Sequence, residues 1–314
     1  MANYVKISTI GAGFLTENLG TGQAAVDRMI RFWKEELDQV LPDRPDLIVV
    51  PEACDCYPSH SQAEQRDYYR TRGNQVRDFF ADIAAQHGCH IAYSAAREMP
   101  DDTGRNSTQI IGRDGQVLGI YNKNHVVITE RTEGEILYGW EAPIIPCDFG
   151  RVACAICFDL NFDELRLKYV QAQPDLILFS SMYHGGLMQG YWAYSCRAHL
   201  VTAVARSPSA IISPVGKVLA CTTNYFDFVT ATVNLDCTVA HLDFNSEKLR
   251  AMKAKYGPKV SVFDPGYLGS VLISSETDEV TSGDLIEEFE IELLDEYFAR
   301  SLAHRHEPGN MEPA

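Results

Sequence analysis

The stretch Gly150–Arg166, GRVACAICFDLNFDELR, decides how the rest of the chain is read. Val152 to Cys157 is a run of small and apolar residues, the pattern of a strand covered on both faces. Asp159, Leu160, Asn161 and Phe162 break that pattern. Asp163 and Glu164 then open a helical segment, where acidic side chains suit the positive end of the helix dipole. Cys157 therefore sits on a sharp strand-to-helix turn, a position that holds a thiol rigidly. The plain alternative is that Cys157 is one more small buried hydrophobe, the usual role of a free cysteine. Zinc or redox chemistry through Cys154 and Cys157 fits poorly. Residues three apart on a strand point to opposite faces, and a thioredoxin-like pair needs its second cysteine inside the helix.

Working outward, 314 residues with 46% hydrophobic and 22% charged side chains describe a globular protein. The formal charge of −16, from 27 basic and 43 acidic residues, argues against nucleic acid or an anionic membrane as partner. Nine cysteines in unpatterned spacing and a start without a basic-then-apolar leader predict reduced thiols and a cytoplasmic location. No run of roughly eighteen apolar residues predicts a transmembrane helix. Gly11-Ala12-Gly13 hints at a dinucleotide loop, but Thr16 stands where its third glycine belongs.

Tyr4 to Ile10 alternates as a first strand, and Val26, Met29, Ile30, Trp33, Leu37 and Val40 recur at helical spacing between Gln23 and Leu41. Asp46 to Val50 reads as a short parallel strand with Glu52 just past its end, where α/β proteins place ligands. Such a glutamate is otherwise simply a solvated loop charge. Ala53 to Pro58 is small, polar and turn-forming, as a pocket wall including Tyr57 would be. A helix is predicted over about Gln62 to His87, stopped by Gly88, and a strand over His90 to Ala95. Asn106 to Gly112 and Gln116 to Lys123 flank Asp114-Gly115, which predicts a two-residue hairpin. Lys123 at a strand end is ordinarily an exposed edge charge.

Taken together, Val49-Val50-Pro51-Glu52, Tyr121-Asn122-Lys123-Asn124-His125 and Gly150-Arg151 through Ile156-Cys157-Phe158-Asp159, ending in Phe162, Glu164 and Arg166, resemble the three motifs of the nitrilase superfamily of carbon–nitrogen hydrolases. The likeness covers roughly residues 4 to 275. It extends to Pro174–Ser181 as the strand after the nucleophile, Arg197–Ala205 as the following helix and strand, and Ser209–Ala220 as a hairpin. Asp163 replaces the family's usual proline, His184-Gly185-Gly186 stands where a tryptophan loop is common, and Asn124 precedes His125 where Thr or Val is frequent. These departures bear on substrate preference rather than on the triad.

The resemblance implies a mixed α/β fold, a four-layer α-β-β-α sandwich, with composition alone giving only mixed α/β. It implies a Glu52–Lys123–Cys157 triad that hydrolyses a small-molecule amide, nitrile or carbamoyl compound through a thioester, with no cofactor and no metal. Glu52 would be the base. Lys123, with the Phe158 backbone N–H, would stabilise the oxyanion. Glu130 is expected as an assisting acid, with Glu133 and Glu135 as competitors, and Phe158, Tyr183 and His184 join Tyr57 as candidate substrate contacts. His125 is read as structural. Phe158-Asp159 after the nucleophile resembles the amidase and carbamoylase branches, so an amide is favoured over a nitrile. A non-catalytic scaffold or binding protein stays open as a different class, marked by a Cys157 no more reactive than the other cysteines.

Beyond Asp236 the pattern changes. Asp243 to Gly257 is a polar helix, Ile286 to Phe298 is acidic and amphipathic, and the last dozen residues read as loosely ordered. Residues 1–280 are expected to form the hydrolase domain and 281–314 an acidic helix and tail at an oligomer contact. By resemblance the protein would be a homodimer or larger homo-oligomer.

Overall fold

The computed structural model describes residues 1–17, 19–101 and 103–312. The chain divides into two compact units, Val5–Val233 and Met1–Tyr4 with the chain from Asn234 onward.

The larger unit runs, in chain order, β1 (Tyr4–Ile10), α1 (Gln23–Leu37), β2 (Leu47–Val49), α2 (Gln62–Arg72), α3 (Gln75–His87), β3 (His90–Glu98), β4 (Gly104–Ile111) and β5 (Val117–Asn122). It continues through α4 (Ile128–Thr132), β6 (Ile145–Cys147), β7 (Gly150–Ile156), α5 (Asp163–Ala172), β8 (Leu176–Ser181), α6 (Leu187–Cys196), β9 (His199–Val204), β10 (Ala210–Ile212), β11 (Val218–Cys221) and β12 (Phe228–Asn234). These strands form two six-stranded sheets, ordered β12-β1-β2-β3-β4-β5 and β11-β10-β9-β8-β7-β6. Each has a parallel core, β1-β2-β3 in one and β7-β8-β9 in the other, extended by antiparallel strands.

Their facing sides carry small hydroxyl residues that bond across the layer. Thr9 Oγ1 donates to the Thr202 carbonyl at 2.7 Å, and Ser180 Oγ to the Val50 carbonyl at 2.8 Å. The outer faces are apolar. Trp33, Tyr68 and Phe80 on α1, α2 and α3 join Ile48, Ile91 and Tyr93 in one buried cluster. Tyr169 and Trp192 on α5 and α6 are buried on the other side, donating to the carbonyls of Cys154 and Leu160. Helix, sheet, sheet, helix is the expected sandwich. Gly11 explains itself here: a Cβ would stand 2.8 Å from Ser209 Oγ and 3.0 Å from the Val204 carbonyl, so the loop after β1 serves close packing.

The structure departs from the sequence pattern in local detail. The helix predicted over Gln62–His87 is two helices, because Gly73 ends α2 with φ +48° and Asn74 starts α3. The hairpin between β4 and β5 uses a three-residue loop rather than two. Gly112 N–H donates to Gln116 O, Gly115 N–H to Gly112 O, and Gly115 alone of Arg113, Asp114 and Gly115 has positive φ, at +78°. Arg197–Ala205 holds only a strand, since the preceding helix ends at Cys196.

The smaller unit is a three-stranded antiparallel sheet of β13 (Cys237–His241), β14 (Val260–Phe263) and β15 (Ser270–Ser275), with β15 central. Helices α7 (Ser246–Tyr256), α8 (Ser282–Glu288) and α9 (Leu294–Arg305) cover a core of Leu249, Met252, Val260, Val271, Ile273 and Leu285. Residues 281–314, set apart in the sequence, thus contribute α8 and α9 to this unit. The acidic amphipathic segment is split between them, with Glu290 at φ +49°, and α9 reaches Arg305, inside the stretch expected to be loose.

Candidate active site

Strand polarity brings three chain segments to one edge. β2 and β3 are parallel, β4 and β5 each reverse, so the carboxyl ends of β2 and β5 and the start of β4 lie together. Glu52 follows β2, Lys123 follows β5, and Asn106 stands near the start of β4. From the second sheet, β7 delivers Cys157 and β8 delivers Met182.

Lys123 is almost wholly buried, and its ammonium bridges two carboxylates. Nζ lies 2.8 Å from Glu52 Oε1 and 2.8 Å from Glu130 Oε2. The Asn106 amide nitrogen spans the same pair, at 2.8 Å from Glu52 Oε1 and 3.0 Å from Glu130 Oε1. The Met182 backbone N–H donates to Glu52 Oε2 at 3.1 Å. Glu130 also accepts from the Val127 N–H at 2.7 Å, which fixes the start of α4 around it. Burial works against the Lys123 charge, but Glu52, Glu130 and Cys157 outweigh it, so its pKa is raised and the ammonium is retained.

Cys157 adopts φ +49°, a left-handed conformation that a non-glycine residue rarely takes. The strain is held by Asp159, which is fully buried. Its Oδ2 accepts the Ile156 N–H at 2.9 Å and the Tyr121 hydroxyl at 2.7 Å, and its Oδ1 accepts the His125 N–H at 2.8 Å. The His125 ring stacks on Phe162, with centroids 4.0 Å apart, and Nδ1 lies 3.0 Å from Asp159 Oδ1. Burial, followed by the Glu52 charge, pushes the Cys157 thiol up to about 12 against the pull of Lys123. The resting group is therefore a neutral thiol under the influence of a carboxylate and an ammonium.

The Glu52 loop is anchored from behind. Ala53 has φ +47°. Asp55, fully buried, takes both oxygens to Arg72 at 3.0 and 2.8 Å and accepts the Tyr93 hydroxyl, while Arg72 also donates to the Ala96 carbonyl at 2.8 Å. Trp33 Nε1 donates to the Cys54 carbonyl at 2.9 Å. The segment's small, turn-forming composition gives no sign of this buried ion pair.

A cleft of about 310 Å³ reaches the cluster at Asn106, Glu130 and Met182. Its lining also includes His60, Gln65, Arg66 and Arg97. Tyr57 borders this cleft with its hydroxyl committed to the Ala25 carbonyl at 2.7 Å. Phe158, Tyr183 and His184 lie outside its lining. Phe158 packs edge-on against Phe162, Tyr183 accepts from Asn161 at 2.9 Å, and exposed His184 accepts from the Gly186 N–H at 3.1 Å. Glu135 pairs with Arg66 at 2.8 Å on the cleft rim, and Glu133 is exposed, so Glu130 is the one of the three acids in contact with Lys123. Asn106 went unnoticed in the sequence, because an asparagine within a strand gives no local signal. No group of three or more His, Cys, Asp or Glu side chains suited to a metal occurs among the described residues.

The carbon-nitrogen hydrolase profile matches residues 15–240. The chain belongs to the carbon-nitrogen hydrolase family. This hydrolase is 23% identical over 287 residues to a deaminated glutathione amidase of Dictyostelium discoideum, a match spanning 79% of this chain and 96% of that one. It is 26% identical over 159 residues to the human omega-amidase NIT2, spanning 42% of this chain and 57% of that protein. Among solved structures, a carbon-nitrogen hydrolase from Helicobacter pylori G27 superposes with a TM-score of 0.65 at 14% identity, covering 80% of this chain and 94% of that one. The family and fold expected from the three sequence motifs are thus borne out, and the protein is an enzyme of the carbon-nitrogen hydrolase family. No helix among the described residues is long and apolar enough to cross a membrane.

Proposed function

We propose that this hydrolase cleaves a small amide through a thioester on Cys157. The observation that carries the reading is the buried cluster in which Lys123 bridges Glu52 and Glu130 at 2.8 Å, with the charges of Glu52 and Lys123 both acting on the Cys157 thiol. A thiol held near 12 attacks only as its proton leaves, and Glu52 is placed to take it. Sγ bonds the carbonyl carbon, the carbonyl oxygen becomes an oxyanion, and Lys123 with the Phe158 N–H receives that charge. Such a donor typically contributes about 3 kcal/mol to the barrier reduction. Glu52 passes the proton to the nitrogen, the C–N bond breaks, and ammonia or an amine departs. Water, deprotonated by Glu52, then attacks the thioester and releases the acid and the thiol.

Glu130 holds the Lys123 ammonium and the Asn106 amide in place rather than moving a proton itself. The cleft lining, with Gln65, Arg97 and an Arg66 paired to Glu135, suits an acyl chain ending in a polar group. The amidase names of the relatives agree with an amide as substrate. The test is ammonia release from a panel of amides, nitriles and N-carbamoyl compounds by the native enzyme and by Cys157→Ala. Amide hydrolysis lost in Cys157→Ala supports the reading. A nitrile turned over to acid and ammonia faster than the matching amide would replace it.

A further inference from the structure

Asn106 is 6% exposed, and its backbone carbonyl accepts the Lys123 N–H at 2.8 Å. Its side-chain nitrogen has two hydrogens, and the two carboxylates Glu52 and Glu130, at 2.8 and 3.0 Å, use both. That fixes which way the amide is turned, since the opposite flip would set Oδ1 against two carboxylate oxygens. Oδ1 is left buried with no hydrogen-bond partner, on a residue that lines the cleft where it meets Glu130 and Met182. A buried amide oxygen without a donor is unfavourable by itself and is made good by a ligand that brings one.

We propose that Asn106 Oδ1 accepts an N–H of the scissile amide nitrogen, which makes amides bearing an N–H the substrate class and leaves nitriles, esters and tertiary amides without this contact. The inference rests on the thioester reading above. An N–H held on Oδ1 turns the nitrogen lone pair toward Glu52 as the tetrahedral intermediate forms. Glu52 then returns the thiol proton to that lone pair, the C–N bond breaks with its electron pair going to nitrogen, and ammonia leaves from a primary amide. A nitrile nitrogen and an ester oxygen carry no hydrogen when they bind, so they enter the site without the contact. A site built to hydrogen-bond an N–H discriminates strongly against an analogue that lacks it.

The experiment compares a primary amide and an ester of the same acid, which form the same thioester on Cys157. Acylation is followed by intact mass in the native enzyme, Asn106→Ser and Asn106→Ala. Ester acylation reports that each variant is folded and that Glu52, Lys123 and Cys157 still act, while only the amide offers an N–H. The expected result is that amide acylation falls at least about tenfold further than ester acylation, with deacylation unchanged between the two substrates. Parallel losses for amide and ester would overturn the inference, leaving Asn106 as a support for Glu52 and Glu130 only. A native enzyme that forms no Cys157 adduct with either compound would overturn the thioester reading and the inference with it, a result distinct from parallel loss.

Discussion

The protonation of Cys157 separates two ways in which a thiol hydrolase can work, and replacing Glu52 with glutamine tells them apart. Burial and the Glu52 charge hold the thiol near 12, with Lys123 pulling the other way. A thiol titrating there is thiolate to roughly one part in thirty thousand at pH 7.5, against roughly one part in ten for a free cysteine at about 8.5. The resting enzyme is thus short of thiolate by about three orders of magnitude and depends on Glu52 at the moment of attack. Glu52→Gln removes the anion that raises the thiol but keeps Lys123. The Cys157 pKa therefore falls and resting thiolate rises, while amide turnover drops by at least about a hundredfold because the base is gone. The assay is an ultraviolet thiolate titration taken as the difference between each enzyme and its Cys157→Ala counterpart, so that the other eight cysteines cancel. In the native enzyme the Cys157 signal should grow only above about pH 10, and in Glu52→Gln it should move to lower pH. A native thiolate already present at neutral pH would refute the reasoning, since no base would then be needed.

Three further outcomes follow from the same geometry. Glu130→Gln keeps the shape but loses one of the two charges on Lys123, so activity should fall by about ten- to a hundredfold while Cys157→Ala abolishes it; a silent Glu130→Gln beside a crippled Glu133→Gln would move the assisting role. Asp55→Ala leaves Arg72 buried without its carboxylate and should destabilise the protein by about 3–5 kcal/mol, read from the denaturant midpoint; a change under about 1 kcal/mol would show the ion pair to be dispensable. Asp159→Ala strips the partners from Ile156, Tyr121 and His125 around the strained Cys157 turn, so stability and Cys157 acylation should fall together, by about 2–4 kcal/mol and about a hundredfold. Acylation that survives in a destabilised Asp159→Ala would mean the turn holds its shape without the carboxylate.

What could be read from the sequence was what local rules encode. Tyr4–Ile10 alternates and is β1 to the residue, and Gly88 stops a helix with φ +63°. The small apolar run before Cys157 is buried on both faces, as a parallel strand between helices and a second sheet must be. The positions of Glu52, Lys123 and Cys157 just beyond strands were visible because a strand end is a local event. What escaped depends on contacts between distant segments. Gly73 ends α2 within a stretch whose pattern predicts one helix, and Asp55 reads as a turn residue because its partner Arg72 lies 17 residues on. Asn106 acquires its meaning only from Glu52 and Glu130, which reach it from either side. Tyr57, read as part of a turn-forming pocket wall, does line the cleft, whereas Tyr183 and His184, which follow a strand end, lie outside its lining, as does Phe158.

The central claim is that Cys157 carries the acyl group, and intact mass tests it most directly. The native enzyme is mixed with a panel of small amides, nitriles and carbamoyl compounds, quenched in acid at short times for intact mass, and assayed in parallel for ammonia. An acyl adduct mapped to Cys157, with ammonia released by the native enzyme, is the predicted result and names the acyl group. An adduct on another residue, or ammonia released without any dependence on Cys157, would contradict the account.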